Sequence, residues 1–255
     1  MDFFNQIMAY SFLKSGSLNL LLDNVSQRTD APRYKSGKEI MAEALTGRIR
    51  SNSVMLRQGA KNASEAAAMA SSITNAVSSL RTTLSEMLTL VQEVQADPSQ
   101  SASASSTFKN LASTLAATVT GAQYNGISLL DFDGWNKDGR LTVGDDNTAT
   151  LQIQLGYGTS KFILHDLSDL KDLKLIDLNG MQPADLTDLS ENLKEYASMV
   201  DTLHSSYANW AKSYMSEEKF MNEQAEILMR TAKNAMPNET DPLLRDRGGI
   251  VSSLG

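Results

Sequence analysis

Two apolar seams with heptad spacing constrain this chain more than any other feature. In the first, Ala70, Ile73, Val77, Leu80, Leu84, Met87, Val91 and Val94 recur at alternating steps of three and four. In the second, Leu186, Leu189, Leu193, Tyr196, Val200, Leu203, Tyr207, Trp210 and Tyr214 do the same. Such spacing holds one narrow apolar stripe on one side of an α-helix. At ~1.5 Å per residue, a helix from Asn62 to Gln95 is about 50 Å long, a rod that must be covered along its length. A third, shorter face, formed by Phe108, Leu111, Leu115 and Val119, supplies cover. The expected fold is mainly α: long antiparallel helical rods in a coiled-coil-like bundle, with a small β-hairpin lobe.

Punctuation sets the expected boundaries. Ile40, Met41, Leu45 and Ile49 suggest a separate helix, joined to the first rod through residues 51–61 with Gly59 as a bend. The stretch ADPSQSASASS reads as a break, with Pro98 ending the rod and Ser99 to Ser106 as a flexible linker. Beyond Tyr214 the apolar residues Phe220, Ile227, Leu228 and Met236 leave the strict register, which predicts a stutter or bend near Ser216. Between them, LTVG, TLQIQLG and KFILHDL alternate as strands do. From Asp131 to Asp188 there are eleven Asp, no Glu and five Lys or Arg, so this lobe holds six of the seven net negative charges and is expected to be exposed. The expected domains are a helical rod (40–130 and 183–221), a short acidic β-hairpin lobe (131–182) and two terminal helical segments (1–39 and 222–255).

Composition removes function classes. The 255 residues include no cysteine and two histidines, His165 and His204, in unrelated stretches. Thiolate chemistry is therefore excluded, and histidine-based sites have few components. A net charge of -7 argues against a nucleic-acid partner. No cleaved signal peptide is expected within the first 30 residues, nor any membrane insertion, since Lys14, Ser15, Gly16 and Ser17 interrupt the best apolar run. Asp133, Asn136, Asp138, Gly139 and Asp145 echo a calcium loop, but Gly134 stands where its first ligand should be. Tight turns between strands account for the same Asp-Gly pairs, and Asp131 with Asp133 reads as solvated turn chemistry rather than an acid–base pair. No enzyme activity and no cofactor are expected.

Three segments carry a resemblance. Asn62 to Leu84 (NASEAAAMASSITNAVSSLRTTL) passes from a small-residue helix into a leucine seam, Thr120 to Gly134 (TGAQYNGISLLDFDG) is a turn followed by a Leu-Leu-Asp run, and Asn222 to Met236 (NEQAEILMRTAKNAM) is a late helical segment. In order and spacing over nearly the whole length, the chain resembles the bacterial flagellin family, in a minimal form without the variable outer domains. Two departures are evident. Glu86, Leu88, Thr89 and Leu90 stand where the family carries an arginine-rich receptor-recognition patch, and Pro237 to Gly249 (PNETDPLLRDRGG) is polar and proline-bearing.

The resemblance implies export in unfolded form through the flagellar apparatus, without a cleaved signal peptide, to an extracellular filament. It also implies polymerisation with copies of the same chain, an export chaperone, and cap or junction proteins as partners. Self-assembly contacts are expected at Phe4, Ile7, Met8, Phe12 and Leu21 at one end and at Ile227 and Leu228 at the other. Self-assembly or helix packing is expected along Ile73, Val77, Leu80, Leu84 and Met87 and along Leu193, Tyr196, Val200, Leu203, Tyr207 and Trp210, with association between copies favoured over internal three-helix packing because a narrow stripe on so long a rod leaves too little cover within one chain. A hook–filament junction protein is the neighbouring alternative, and a soluble coiled-coil adaptor or adhesin with a calcium-stabilised loop is the alternative of another class.

Overall fold

The computed structural model describes residues 37–144 and 146–235. The chain divides into two units, Met1–Leu45 with Met236–Gly255, and Thr46–Ala235. The second unit holds nearly all that follows. Expectations for Phe4, Ile7, Met8, Phe12 and Leu21 lie outside the described residues.

Helix α1 runs without interruption over Gly37–Ala96, so the separate early helix and the bend at Gly59 are both corrected. Glycine inside a helix costs about 1 kcal/mol against alanine, which a 60-residue helix with a long buried face absorbs. The many Ser and Thr of α1 do not break it, because their hydroxyls turn back onto their own helix. Ser71 donates to Ala67 O at 2.8 Å, Thr74 to Ala70 O at 2.8 Å and Thr89 to Ser85 O at 3.0 Å. The helix ends where Asp97 caps a 3-10 turn, Pro98–Gln100, by accepting from Ser99 N, with Pro98 at its first position.

The serine run is not a linker. It opens helix α2, Ser101–Gly121, which buries Ala104, Ser105, Phe108, Ala112, Leu115 and Val119. Ser105 is polar and only 4% exposed, because its hydroxyl donates to Asp177 and accepts from Leu178 N at 3.2 Å. That partner lies about seventy residues downstream, beyond the reach of local sequence reading.

After α2 come a two-stranded hairpin, β1 (Gln123–Tyr124) and β2 (Ile127–Ser128), and a one-turn helix, α3 (Phe132–Trp135). Asn125 and Gly126 both have positive φ, 49° and 77°, as an Asn-Gly hairpin turn of the type I′ class requires. The lobe proper is a meander of three antiparallel strands rather than a single hairpin: β3 (Leu141–Val143), β4 (Thr148–Leu155) and β5 (Gly158–His165). A 3-10 segment, Ser168–Leu175, buries Leu170 and Leu173 and leads towards helix α4, Pro183–Asn234.

Helix α4 passes through Ser216 unbroken, so the expected stutter does not interrupt it. The buried face shifts instead, to Met221, Ala225 and Ala232, with Leu228 packed at its edge, leaving Phe220 and Ile227 exposed. Helices α1 and α4 are antiparallel: Ser53 Oγ donates to Ala225 O at 2.9 Å, and Arg81 pairs with Asp201 at 2.7 Å.

Candidate functional site

The two seams close on each other within one chain. Ile73, Val77, Leu80, Leu84 and Met87 of α1 are fully buried, as are Leu193 and Val200 of α4, with Leu203 7% and Tyr207 1% exposed. Tyr196 and Trp210 pack at the edge of this core. The seams therefore serve the interior of Thr46–Ala235, and the association between copies expected along them is corrected, because α2 and the lobe complete their cover within one chain.

The aromatic stripe of α4 seats the sheet. Phe162 on β5 is fully buried and lies 5.4 Å from Trp210 and 6.1 Å from both Tyr207 and Tyr214, ring centre to ring centre. These separations fall in the favourable range for aromatic pairs. Each phenol at the contact also finds a polar partner. The Tyr207 hydroxyl donates to Ile163 O at 3.0 Å, leaving its oxygen to accept from His165 Nδ1 at 3.0 Å, and Tyr214 shares a hydrogen bond with Ser160. Burial pushes the Tyr207 phenol well above its ordinary value. His165, which sequence alone leaves without a partner, is held here half-buried.

Burial lowers the His165 pKa below its ordinary 6.5, against a smaller opposing pull from Asp146. Below about pH 6.5 the unfolded chain thus takes up a proton that the folded chain resists, and stability falls as pH drops through this window towards the folded value. Urea midpoints near pH 7.5 and near pH 5.5 are expected to differ for the wild type, and to differ less for His165→Gln. An equal difference in both would exclude His165 as the source.

The lobe's aspartates work as caps and clasps. Asp166 Oδ1 accepts from Phe132 N at 3.0 Å and Ser168 N at 2.9 Å, and Asp138 accepts from Arg140 N at 3.0 Å. Aspartate reaches a backbone N–H two residues on, which explains a segment rich in Asp and empty of Glu. Asp177 is held well below the usual carboxylate range by the Lys109 ammonium and the Ser105 hydroxyl.

Asp131 corrects the expectation of a solvated turn residue, since it is 6% exposed. It caps α3 through Asp133 N and receives Lys171 Nζ at 2.8 Å, the ammonium also reaching Asp133 at 2.9 Å. Beside it, Trp135 is buried and donates Nε1 to Ser128 O at 2.9 Å. Lys171→Met leaves the Asp131 charge buried with its cation gone, and a loss of about 2–3 kcal/mol is expected in denaturant unfolding. Adding Asp131→Asn should recover part of it, and additive losses would contradict the coupling.

Among the described residues of the calcium alternative, both carboxylates face cations of the chain itself. Asp133 faces Lys171, Asp138 is bound through both oxygens by Arg140, Asn136 ends α3, and Asp145 lies outside the described residues. Among the described residues, no group of three His, Cys, Asp or Glu side chains is placed to hold a metal ion. Nor is any described helix long and apolar enough to cross a membrane.

Of the large apolar side chains that the unit leaves exposed, six lie towards one end, while Leu175, the most exposed at 74%, and Met199 lie elsewhere. Val54 and Met55 of α1, and Met215, Phe220, Ile227 and Met229 of α4, are between 37% and 65% exposed. The Ser53–Ala225 bond brings these stretches side by side, where the chain enters the unit at Thr46 and leaves it at Ala235. Phe220 and Ile227, two turns apart, share one face of α4. Of the two residues expected to make self-assembly contacts in this stretch, Ile227 is exposed and Leu228 is turned towards the core. No family model, no curated protein and no solved structure matches this chain.

Proposed function

We propose that this chain is a structural subunit that polymerises into a helical extracellular filament, in the manner of flagellin, through the end from which its terminal segments continue. The observation that carries the reading is that Val54, Met55, Met215, Phe220, Ile227 and Met229, most of the exposed large apolar side chains of Thr46–Ala235, lie towards that end. Phe220 and Ile227, which share one face of α4, leave apolar area that association would cover. The closed seams support the same division of labour, with a self-sufficient rod and lobe and an end that needs neighbours.

On this reading the subunit is exported unfolded, meets an export chaperone on the way and is retained by cap or junction proteins. It has no catalytic role. Negative-stain electron microscopy of the purified, concentrated full chain, seeded with filament fragments sheared from native cells, tests it. Uniform filaments extending from the seeds are the expected result. Persistent monomers under seeding would sink the proposal.

A further inference from the structure

We propose that Asn179 is a site of spontaneous covalent modification, at which the chain loses ammonia and acquires aspartate and isoaspartate as it ages. Gly180 N attacks the Asn179 side-chain carbon Cγ and gives up its proton. The new C–N bond closes a succinimide ring, and the amide group leaves with that proton as ammonia. Water then opens either of the two ring C–N bonds, which yields aspartate or isoaspartate. No oxidant, reductant or cofactor enters the balance, and the rate depends on how readily the two atoms are brought together.

Glycine in second place favours the step, because it has no side chain to shield its nitrogen or restrict its rotation. The chain holds two Asn-Gly pairs, at Asn125 and Asn179, and two Asp-Gly pairs, at Asp133 and Asp138. The structure ranks them. Asp133 and Asp138 face the cations Lys171 and Arg140, at 2.9 and 2.6 Å, and a carboxylate so paired is a poor electrophile. Gly134 N is also engaged, donating to Asp131 O at 3.1 Å. Asn125 is exposed, but its φ is 49°. In this left-handed region Cβ lies against the carbonyl oxygen of its own residue, so the next nitrogen stands on the far side of the peptide from the side-chain amide. Arg140 Nη1 also holds that oxygen at 3.3 Å, and the pairing of Tyr124 with Ile127 closes the hairpin around it.

Asn179 lacks these restraints. Asn179 and Gly180 are both exposed and lie outside any helix or strand. Met181 N donates to Leu178 O at 3.4 Å, long for such a bond, and of the two central residues Gly180 has the positive φ, 75°, which makes the turn type II. Its closing bond leaves Gly180 N out, and opening it breaks no strand pairing. The products also fall where they matter. Asp177 accepts from Ser105, Lys109 and Asn179 N, and Leu178 beside it is fully buried. A carboxylate at position 179 places a second negative charge beside this clasp, and isoaspartate adds a methylene to the backbone of the turn that leads into α4.

Full-length protein held at mildly alkaline pH, sampled over weeks, digested with an acid protease and mapped by mass spectrometry tests the assignment. The peptide with Asn179 is expected to gain the mass of an amide-to-acid change about tenfold faster than the peptide with Asn125, the factor that breaking the hairpin bonds imposes. Isoaspartyl methyltransferase, used as a reagent, should label the aged chain, and Asn179→Gln should remove most of that label. In urea, where the turns are gone, the two asparagines are expected to age at similar rates. Ageing at Asn125 as fast as at Asn179 in the folded chain, an unmodified Asn179, undiminished label in Asn179→Gln, or a preference that persists in urea would overturn the proposal.

Discussion

Replacing Phe162 by alanine is expected to destabilise the unit Thr46–Ala235 by about 4 kcal/mol, with a fall of about 10 °C in its unfolding temperature. The ring is fully buried and stands between Tyr207, Trp210 and Tyr214, so its removal opens a cavity that three aromatic side chains of one helix cannot jointly fill. The loss combines transfer of a large apolar side chain with that cavity. It should be cooperative, because Phe162 lies on the strand whose backbone accepts from Tyr207. Thermal unfolding followed at once by far-ultraviolet dichroism and tryptophan fluorescence checks this. A shift under about 3 °C, or a lobe that melts before the helices, would show that the sheet is not integral to the helical core.

Gly59→Ala pits two effects of opposite sign. In helix propensity the substitution gains about 1 kcal/mol. The added methyl, however, meets Gly156 N at 2.2 Å and Gly156 Cα at 2.9 Å, backbone atoms that no rotamer change moves aside. Gly156 has little freedom of its own, since it holds φ +54° with Leu56 Cδ2 3.1 Å from where its Cβ would be. Overpacking of this kind costs about 1–3 kcal/mol or more, so steric cost wins and a net loss of about 2 kcal/mol is expected. If the turn lifts away from α1 instead, amide exchange near Gly156 to Gly158 should speed up while the Ile73 to Met87 core stays protected. A variant as stable as the wild type, with unchanged exchange at the turn, would rule out the close approach.

Gly59 marks where sequence reading stops. As a single glycine between two helical patterns it invites a bend, and the pattern to either side cannot show that another backbone arrives at that residue. The serines after Pro98 misled in the same way: a run of small polar residues is a linker unless its hydroxyls have distant partners, as Ser105 has in Asp177 and Leu178. Asp131 and His165 also depend on partners far away in the chain, Lys171 and Tyr207. The register drift after Tyr214 was visible, yet the residues turned inward, Met221, Ala225 and Ala232, include two small ones that an apolar count passes over.

The exposed end of the candidate site was legible only in part. Phe220, Ile227 and Met229 are apolar in any reading, but whether an apolar residue is core or surface depends on what packs over it.

By itself, the sequence determined what is periodic and local. Heptad seams specified long helices and the face each would bury, alternation and Asp-Gly punctuation specified strands, and an aromatic stripe at helical spacing announced a core contact, because these follow from backbone geometry repeated every few residues. Only the tertiary structure decided which seam covers which, that the seams close within one chain, that the lobe docks on Tyr207, Trp210 and Tyr214, and which apolar side chains remain for a neighbour. Those outcomes depend on distances between residues far apart in the chain, such as Gly59 and Gly156 or Ser53 and Ala225, which sequence periodicity does not encode.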